Sequence, residues 1–341
     1  MNIIETLKEL TDIPGISGQE YLVREYIISK IEGKCEYFVD PLGNIIVFKK
    51  GENTPKNKIY FSAHMDEVGF IVTDITDDGN LRFATSGGID SRVILGKHVE
   101  IGEKRIPGVI GGTPIHMLKK DELYTPPKVE DMLIDIGAKD KADAEQHVNI
   151  GDFVVYYAPM IEMGDNAIVG KALDDRIGCA LMIDLINSEL PYDVHFGFTT
   201  QEEVGCMGGE TAAYTVAPDI GVALEATTAS DIAGVEKSGY VTTQGEGPAI
   251  SFKDRGTTYD MELYRLTLEA AKKAGIPAQA KLGVFGGNEA RVIQTAKGGS
   301  RVVAISLPTR YIHSPSSVVD KRDIASTRQL IDVLIKEYAE V

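Results

Sequence analysis

Ile59-Tyr60-Phe61-Ser62-Ala63-His64-Met65-Asp66-Glu67-Val68-Gly69 is the stretch on which the fold turns. Ile59 to Ser62 reads as a short apolar strand, and it runs directly into a histidine and a carboxylate. In open α/β sheets the ligand crevice lies beyond the carboxyl ends of the strands, so a strand with this ending marks a site. Three later segments repeat the pattern. Val194 to Thr200 leads into Gln201-Glu202-Glu203, Ile220 to Leu224 into Glu225, and Val302 to Leu307, by way of Pro308 to Tyr311, into His313. A lone histidine is more often structural, and a lone acidic pair is more often solvated. Four apolar strands that each close on His or a carboxylate point to one place. Asp174-Asp175 adds a fifth piece, on a turn just ahead of an apolar helix beginning near Ile177; alone, Asp174 reads equally as a helix N-cap.

Outward from Gly69 the texture changes. As far as about Gly164 helical periodicity nearly vanishes, and short apolar runs (Phe70 to Val72, Val99 to Ile101, Met132 to Ile136, Phe153 to Tyr157) alternate with turn chemistry such as Asp78-Gly79 and Gly111-Gly112. This predicts a small β-barrel or sandwich. On either side the texture is α/β. Ser17 and Glu20 are spaced as a capping box, ahead of Leu22, Val23, Tyr26, Ile27 and Ile31 at helical spacing, and Ile45 to Phe48 reads as a strand. A later helix begins near Tyr259 and stops at Gly275 with Pro277 beyond it; the last places Ile324, Thr327, Ile331, Leu334, Ile335 and Tyr338 on one face. The expected architecture is an α/β domain formed by residues 1–68 and 165–341, split by an inserted β domain at residues 69–164.

Composition narrows the function. The 341 residues are 43% apolar, enough for a real core, and 35 basic against 51 acidic residues give a formal charge of −16. Such a charge repels nucleic acid and anionic membranes. No stretch approaches the roughly 20 apolar residues of a membrane span, and the amphipathic, acidic start from Met1 to Thr11 does not read as a signal peptide. Three irregularly spaced cysteines (Cys35, Cys179, Cys206) argue against a disulfide framework and fit a reducing cytoplasm.

Two imidazoles and several carboxylates, without a cysteine ligand, suit zinc, cobalt or manganese in a reactive site better than a structural zinc. A pair of ions about 3.5–4 Å apart needs a bridging carboxylate, lowers the pKa of bound water toward about 7 and polarises a carbonyl. A spare carboxylate beside them can act as general base. His98, His116, His147 and His195 lack this setting and read as structural. Gly286-Gly287 and Gly298-Gly299 read as turns, without the strand-to-helix context of a nucleotide site.

The segments Ala63 to Gly69, Ala172 to Arg176, Thr200 to Gly205 and Arg310 to Pro315 together resemble the tetrahedral, dodecameric metallo-aminopeptidases, a family of glutamyl, leucyl and deblocking aminopeptidases with some members called endoglucanases. The resemblance covers nearly the whole chain. It implies a phosphopeptidase-like mixed sheet flanked by helices, with an inserted PDZ-like β-barrel that dimerises, and dimers that close into a dodecamer. It implies two divalent ions per subunit, zinc or cobalt, held by His64 on one side and by Glu203 and His313 on the other, with Asp174 as bridge and Glu225 as the remaining ligand. Glu202 would be the general base, Asp66 would orient His64 through its second ring nitrogen, and a cis peptide would join Asp174 to Asp175. The substrates implied are short peptides cut at their N-terminal residue.

Two departures stand out. The family usually has Asp at the position of Glu225, and Gly286-Gly287-Asn288-Glu289-Ala290-Arg291 replaces the usual Gly-Gly-Thr-Asp-Ala followed by a small residue. The first leaves a carboxypeptidase or N-deacylase open as an alternative. An endoglucanase would leave the two histidines and Asp174 unexplained.

Overall fold

The computed structural model describes residues 2–341. Its largest element is an eight-stranded mixed sheet, ordered Glu36–Val39, Ile45–Lys49, Val194–Thr199, Ile59–His64, Ile220–Thr228, Arg301–Thr309, Ala249–Ile250, Gln279–Ala280. The four strands singled out by their endings are its four adjacent central strands, and they run parallel to one another. Parallel strands are buried on both faces, which accounts for their near-continuous apolar runs: every residue of Ile59–His64 is buried.

Each face of the sheet has its own core. One packs Leu7, Leu10, Val23 and Ile27 with the apolar helix Leu173–Ile186 and with Leu330, Ile331, Leu334, Ile335 and Tyr338 of the terminal helix Lys321–Glu340. The other seats Ala212, Ala213, Tyr259, Ala290 and Ile293 against Tyr60, Ala223 and Ala304. Asp260 caps the helix Met261–Ala274 by accepting from the amides of Glu262 and Leu263, and Gly275 ends it at φ +69°, a left-handed turn that glycine takes without strain.

The capping box is not formed. Tyr21–Ile31 is helical, but Glu20 at its start makes no side-chain cap. Ser17 donates to the Asp66 carboxylate (2.7 Å) and Glu20 accepts from the amides of Gly18 and Gln201. Both side chains are drawn to the carboxyl edge of the sheet instead of to their own helix.

Between Gly69 and Tyr156 six antiparallel strands close a barrel, in the order Gly69–Ile75, Leu81–Ser86, Leu133–Asp135, Ile106–Gly111, His98–Ile101, Phe153–Tyr156. Closure removes the free edges of the sheet. The barrel has a core of its own, with Phe70 packed edge-on against Phe83 and Tyr156. Ile16, from ahead of the sheet, packs on Phe153 and Val155 and ties the barrel to the α/β unit. A three-stranded sheet, Ile161–Met163, Ala167–Gly170 and Ser317–Asp320, completes the fold.

Candidate metal and catalytic site

His64, Glu203 and His313, supplied at or beyond the ends of three central strands, meet Asp174 and Glu225 at the carboxyl edge of the sheet; the strand expected to close on Glu225 runs on to Thr228, so Glu225 projects from within it. Glu225 lies one strand away from His64, and its Oε2 is 3.8 Å from His64 Nε2. Asp174 reaches in from the start of the helix Leu173–Ile186, where Asp174 and Asp175 depart from helical geometry and the peptide between them is cis, as the resemblance implied. Its two oxygens face different histidines: Oδ1 is 3.3 Å from His64 Nε2, and Oδ2 is 3.3 Å from His313 Nε2. Glu203 Oε1 lies 3.4 Å from His313 Nε2.

Two three-residue groups therefore share one carboxylate. His64, Asp174 and Glu225 form the first, and Asp174, Glu203 and His313 the second. The donor set fits a pair of divalent cations on three grounds. Buried oxygens of Glu203 and Glu225 have no hydrogen-bond partner, an arrangement that is costly unless something else satisfies them. Both imidazoles have Nδ1 against a main-chain carbonyl, His64 on Asp66 O at 2.9 Å and His313 on Gly88 O at 2.7 Å. With the proton held there, each Nε2 turns its lone pair to the centre. Finally, burial pushes the carboxyls of Glu203 and Glu225 up, aided by their anionic neighbours, Glu203 to about 8. Burial pulls His313 down, but Asp174 and Glu203 outweigh it and raise it to about 9. Nearby cations would relieve this crowding of like charge.

Asp66 does more than the sequence indicated. Its main-chain oxygen is the nearest partner of His64 Nδ1, while its carboxylate stands 3.5 Å away. That carboxylate accepts the amides of Glu202 (3.0 Å) and Glu203 (3.1 Å) together with the Ser17 hydroxyl. Burial would raise its pKa, but His64, Ser17 and the Glu202 amide more than compensate and hold it low. Asp66 thus fixes the turn that presents both glutamates. Behind it, fully buried Arg176 donates to the carbonyls of Leu10, Ile13, Gly15 and Met65, and Lys171 pairs with Glu67 at 2.7 Å.

The site opens into a cleft of about 590 Å³, walled by Thr227, Arg255, Lys281, Phe285, Asn288 and Arg291 besides the groups above. Asn288 and Arg291 place the variant Gly-Gly-Asn-Glu-Ala-Arg segment at its wall. Glu289 turns away from it: fully buried, it accepts the Ser62 hydroxyl beneath His64, and burial pushes it up to about 7. Of the other histidines, His195 packs against Phe48 with the rings tilted and their centroids 5.1 Å apart, and His98, His116 and His147 are exposed; none enters a metal-ligating group among the described residues. Ser17, Gly88, Cys206 and Lys281 are site residues that sequence reasoning passed over. Only Ser17 left a signal, as the capping serine of a box that does not form.

The sequence pattern of the M42 glutamyl aminopeptidases matches residues 43–330. The chain belongs to the M42 aminopeptidase family. It is a peptide-bond hydrolase, which sets the glycosidase alternative aside. The glutamyl aminopeptidase of Lactococcus lactis is 31% identical over 98% of this chain and 96% of its own. An aminopeptidase from the archaeon Desulfurococcus kamchatkensis superposes with a TM-score of 0.93 at 34% identity, over 98% of this chain and 94% of that one. The TET1 peptidase of Pyrococcus horikoshii, which assembles into a tetrahedron or a large octahedral shell, does so with a TM-score of 0.85 at 37% identity, over 98% and 99%. The mixed sheet with its inserted barrel is the fold of this family.

Proposed function

We propose that this M42 protein is a dinuclear-metal aminopeptidase that removes N-terminal residues from short peptides in the cytoplasm. The observation that carries the reading is Asp174, whose two oxygens face two separate ligand groups at equal distance. His64 and Glu225 would hold one cation, Glu203 and His313 the other, with zinc or cobalt favoured by a donor set of imidazole and carboxylate. Such a pair supplies an activated water and a polarised carbonyl. Glu202 is the one acidic side chain of the cleft left out of both groups. It takes the proton of the attacking water and delivers it to the departing amine. Asp66 and Ser17 hold the turn from which it acts.

Once the acidic groups are given to ligation and base catalysis, the charged side chains left on the cleft wall are Arg255, Lys281 and Arg291. This favours an acidic N-terminal residue over a basic one. A panel of aminoacyl-anilides tests the reading. Glutamyl and aspartyl anilides should be cut fastest and lysyl slowest, while N-acetylated peptides with a free carboxyl end should remain intact. Release of C-terminal residues from those blocked peptides, with every anilide inert, would instead establish the carboxypeptidase alternative.

The barrel supplies no side chain to either ligand group, and it displays Leu95, Ile115, Met117 and Tyr124 to solvent. Exposed apolar side chains grouped on one module mark an interaction surface. The barrel is accordingly assigned to self-association, with dimers closing into a dodecamer that limits access to short peptides. In light scattering the main species is expected near twelve times the 37.0 kDa chain mass. A concentration-independent monomer with metals bound would defeat the cage.

A further inference from the structure

Glu202 has its amide fixed by Asp66, but its carboxylate lies on a flexible stem and must be aimed. Among the described residues one side chain is hydrogen-bonded to that carboxylate: the Cys206 thiol, four residues on, with Sγ 3.2 Å from Oε1. Cys206 is 3% exposed and sits at φ +61°, a left-handed position at the head of the helix Met207–Val216 that turns its side chain back toward Glu202. On the far side of the sulfur is Arg291, whose Nε donates to Sγ at 3.4 Å and whose Nη2 is anchored on the Gly205 carbonyl. The order is therefore carboxylate, thiol, guanidinium, all at the wall of the substrate cleft.

We infer that Cys206 is a positioning residue for the base: its thiol aims Glu202 and at the same time keeps Arg291 from pairing with it. The inference rests on Glu202 being the general base, as proposed above. Its chemical logic lies in donor strength. A guanidinium–carboxylate pair is charge-assisted and bidentate. It would hold Glu202 firmly, but would also stabilise its anion and make it reluctant to take a proton. A thiol is a weak donor and a weak acceptor. It can fix the direction of the carboxylate without quenching its basicity, and it can satisfy Arg291 from the other side. Shrinking the side chain at position 206 removes both effects together, leaving Arg291 Nε without its partner and able to turn onto Glu202 while Nη2 keeps its hold on Gly205.

This gives a signature that packing alone would not produce. Cys206→Ala should lower kcat on an aminoacyl-anilide by about 10- to 100-fold, the scale on which small misplacements of a reacting group act, with KM and metal content unchanged. Cys206→Ser, which keeps a donor and an acceptor, should stay within about threefold of the native rate. The deciding variant is the double change Cys206→Ala with Arg291→Met, which should regain most of the loss when compared with Arg291→Met alone. A native kcat for Cys206→Ala would overturn the inference. So would loss of metal from that variant, since the thiol bonds to no proposed ligand, or a loss that removal of Arg291 fails to relieve. Glu202→Gln, measured alongside, separates the two readings. If it stays active, the base assignment itself has failed; if it is inactive while Cys206→Ala is native, only the positioning role has failed.

Discussion

Glu202→Gln is expected to retain both cations and lose about 10²–10⁴-fold in kcat, the range that a general base contributes. The amide is nearly isosteric, can still accept from the Cys206 thiol, and leaves the Asp66 bond to the main-chain amide intact. What it cannot do is take a proton. Its neighbour is expected to behave differently. Glu203 belongs to the group with Asp174 and His313, so Glu203→Gln should lose metal as well as rate. Parallel metal analysis and steady-state kinetics on the two variants make the comparison. Near-native turnover in Glu202→Gln, or full metal content in Glu203→Gln, would show that the roles of these adjacent residues had been wrongly divided.

Removal of the metals should have the largest effect of all. Protein purified without chelator should carry two divalent ions per chain by mass spectrometry. Exhaustive chelation should abolish hydrolysis, and zinc or cobalt should restore it. Because Asp174 is common to both ligand groups, Asp174→Asn should empty both positions, whereas Glu225→Gln should weaken chiefly the one shared with His64. Undiminished hydrolysis by fully chelated protein would end the two-metal account.

Much of this was legible in the sequence because burial leaves a plain record. The four central strands are covered on both faces, so each reads as a near-continuous apolar run, and the His or carboxylate in or just after it is conspicuous. The barrel announced itself by the loss of helical periodicity at Gly69. What the sequence did not reveal falls into two physical classes. Contacts made by main-chain atoms carry no residue signature: the carbonyl of Gly88 that holds His313, and that of Asp66 on His64, could belong to any residue. Contacts between side chains distant along the chain compete with local alternatives of similar chemistry. Ser17 and Glu20 have the spacing of a helix cap, and the preference was sound, but the Asp66 carboxylate and the Gln201 amide offered buried partners that an exposed cap could not match. Cys206 was weighed as evidence of a reducing compartment; its bond to Glu202 depends on a left-handed turn that no propensity scale assigns to cysteine.

The hydrogen bond from His313 to the Gly88 carbonyl bears on how such a protein can change over evolutionary time. Gly88 belongs to the segment that follows the barrel strand Leu81–Ser86, and His313 lies well over two hundred positions later in the host domain. An insertion that merely bridged its two attachment points could be exchanged for any module with matching ends. This one also places a main-chain carbonyl on His313, so a replacement module must present a carbonyl at the same point. The outward face of the barrel is free of this requirement, while the seam at Gly87 and Gly88 is not, since a side chain at Gly87 would meet Val68 and Glu203. Exchange of the insertion is therefore constrained at this seam and not only at its two attachment points.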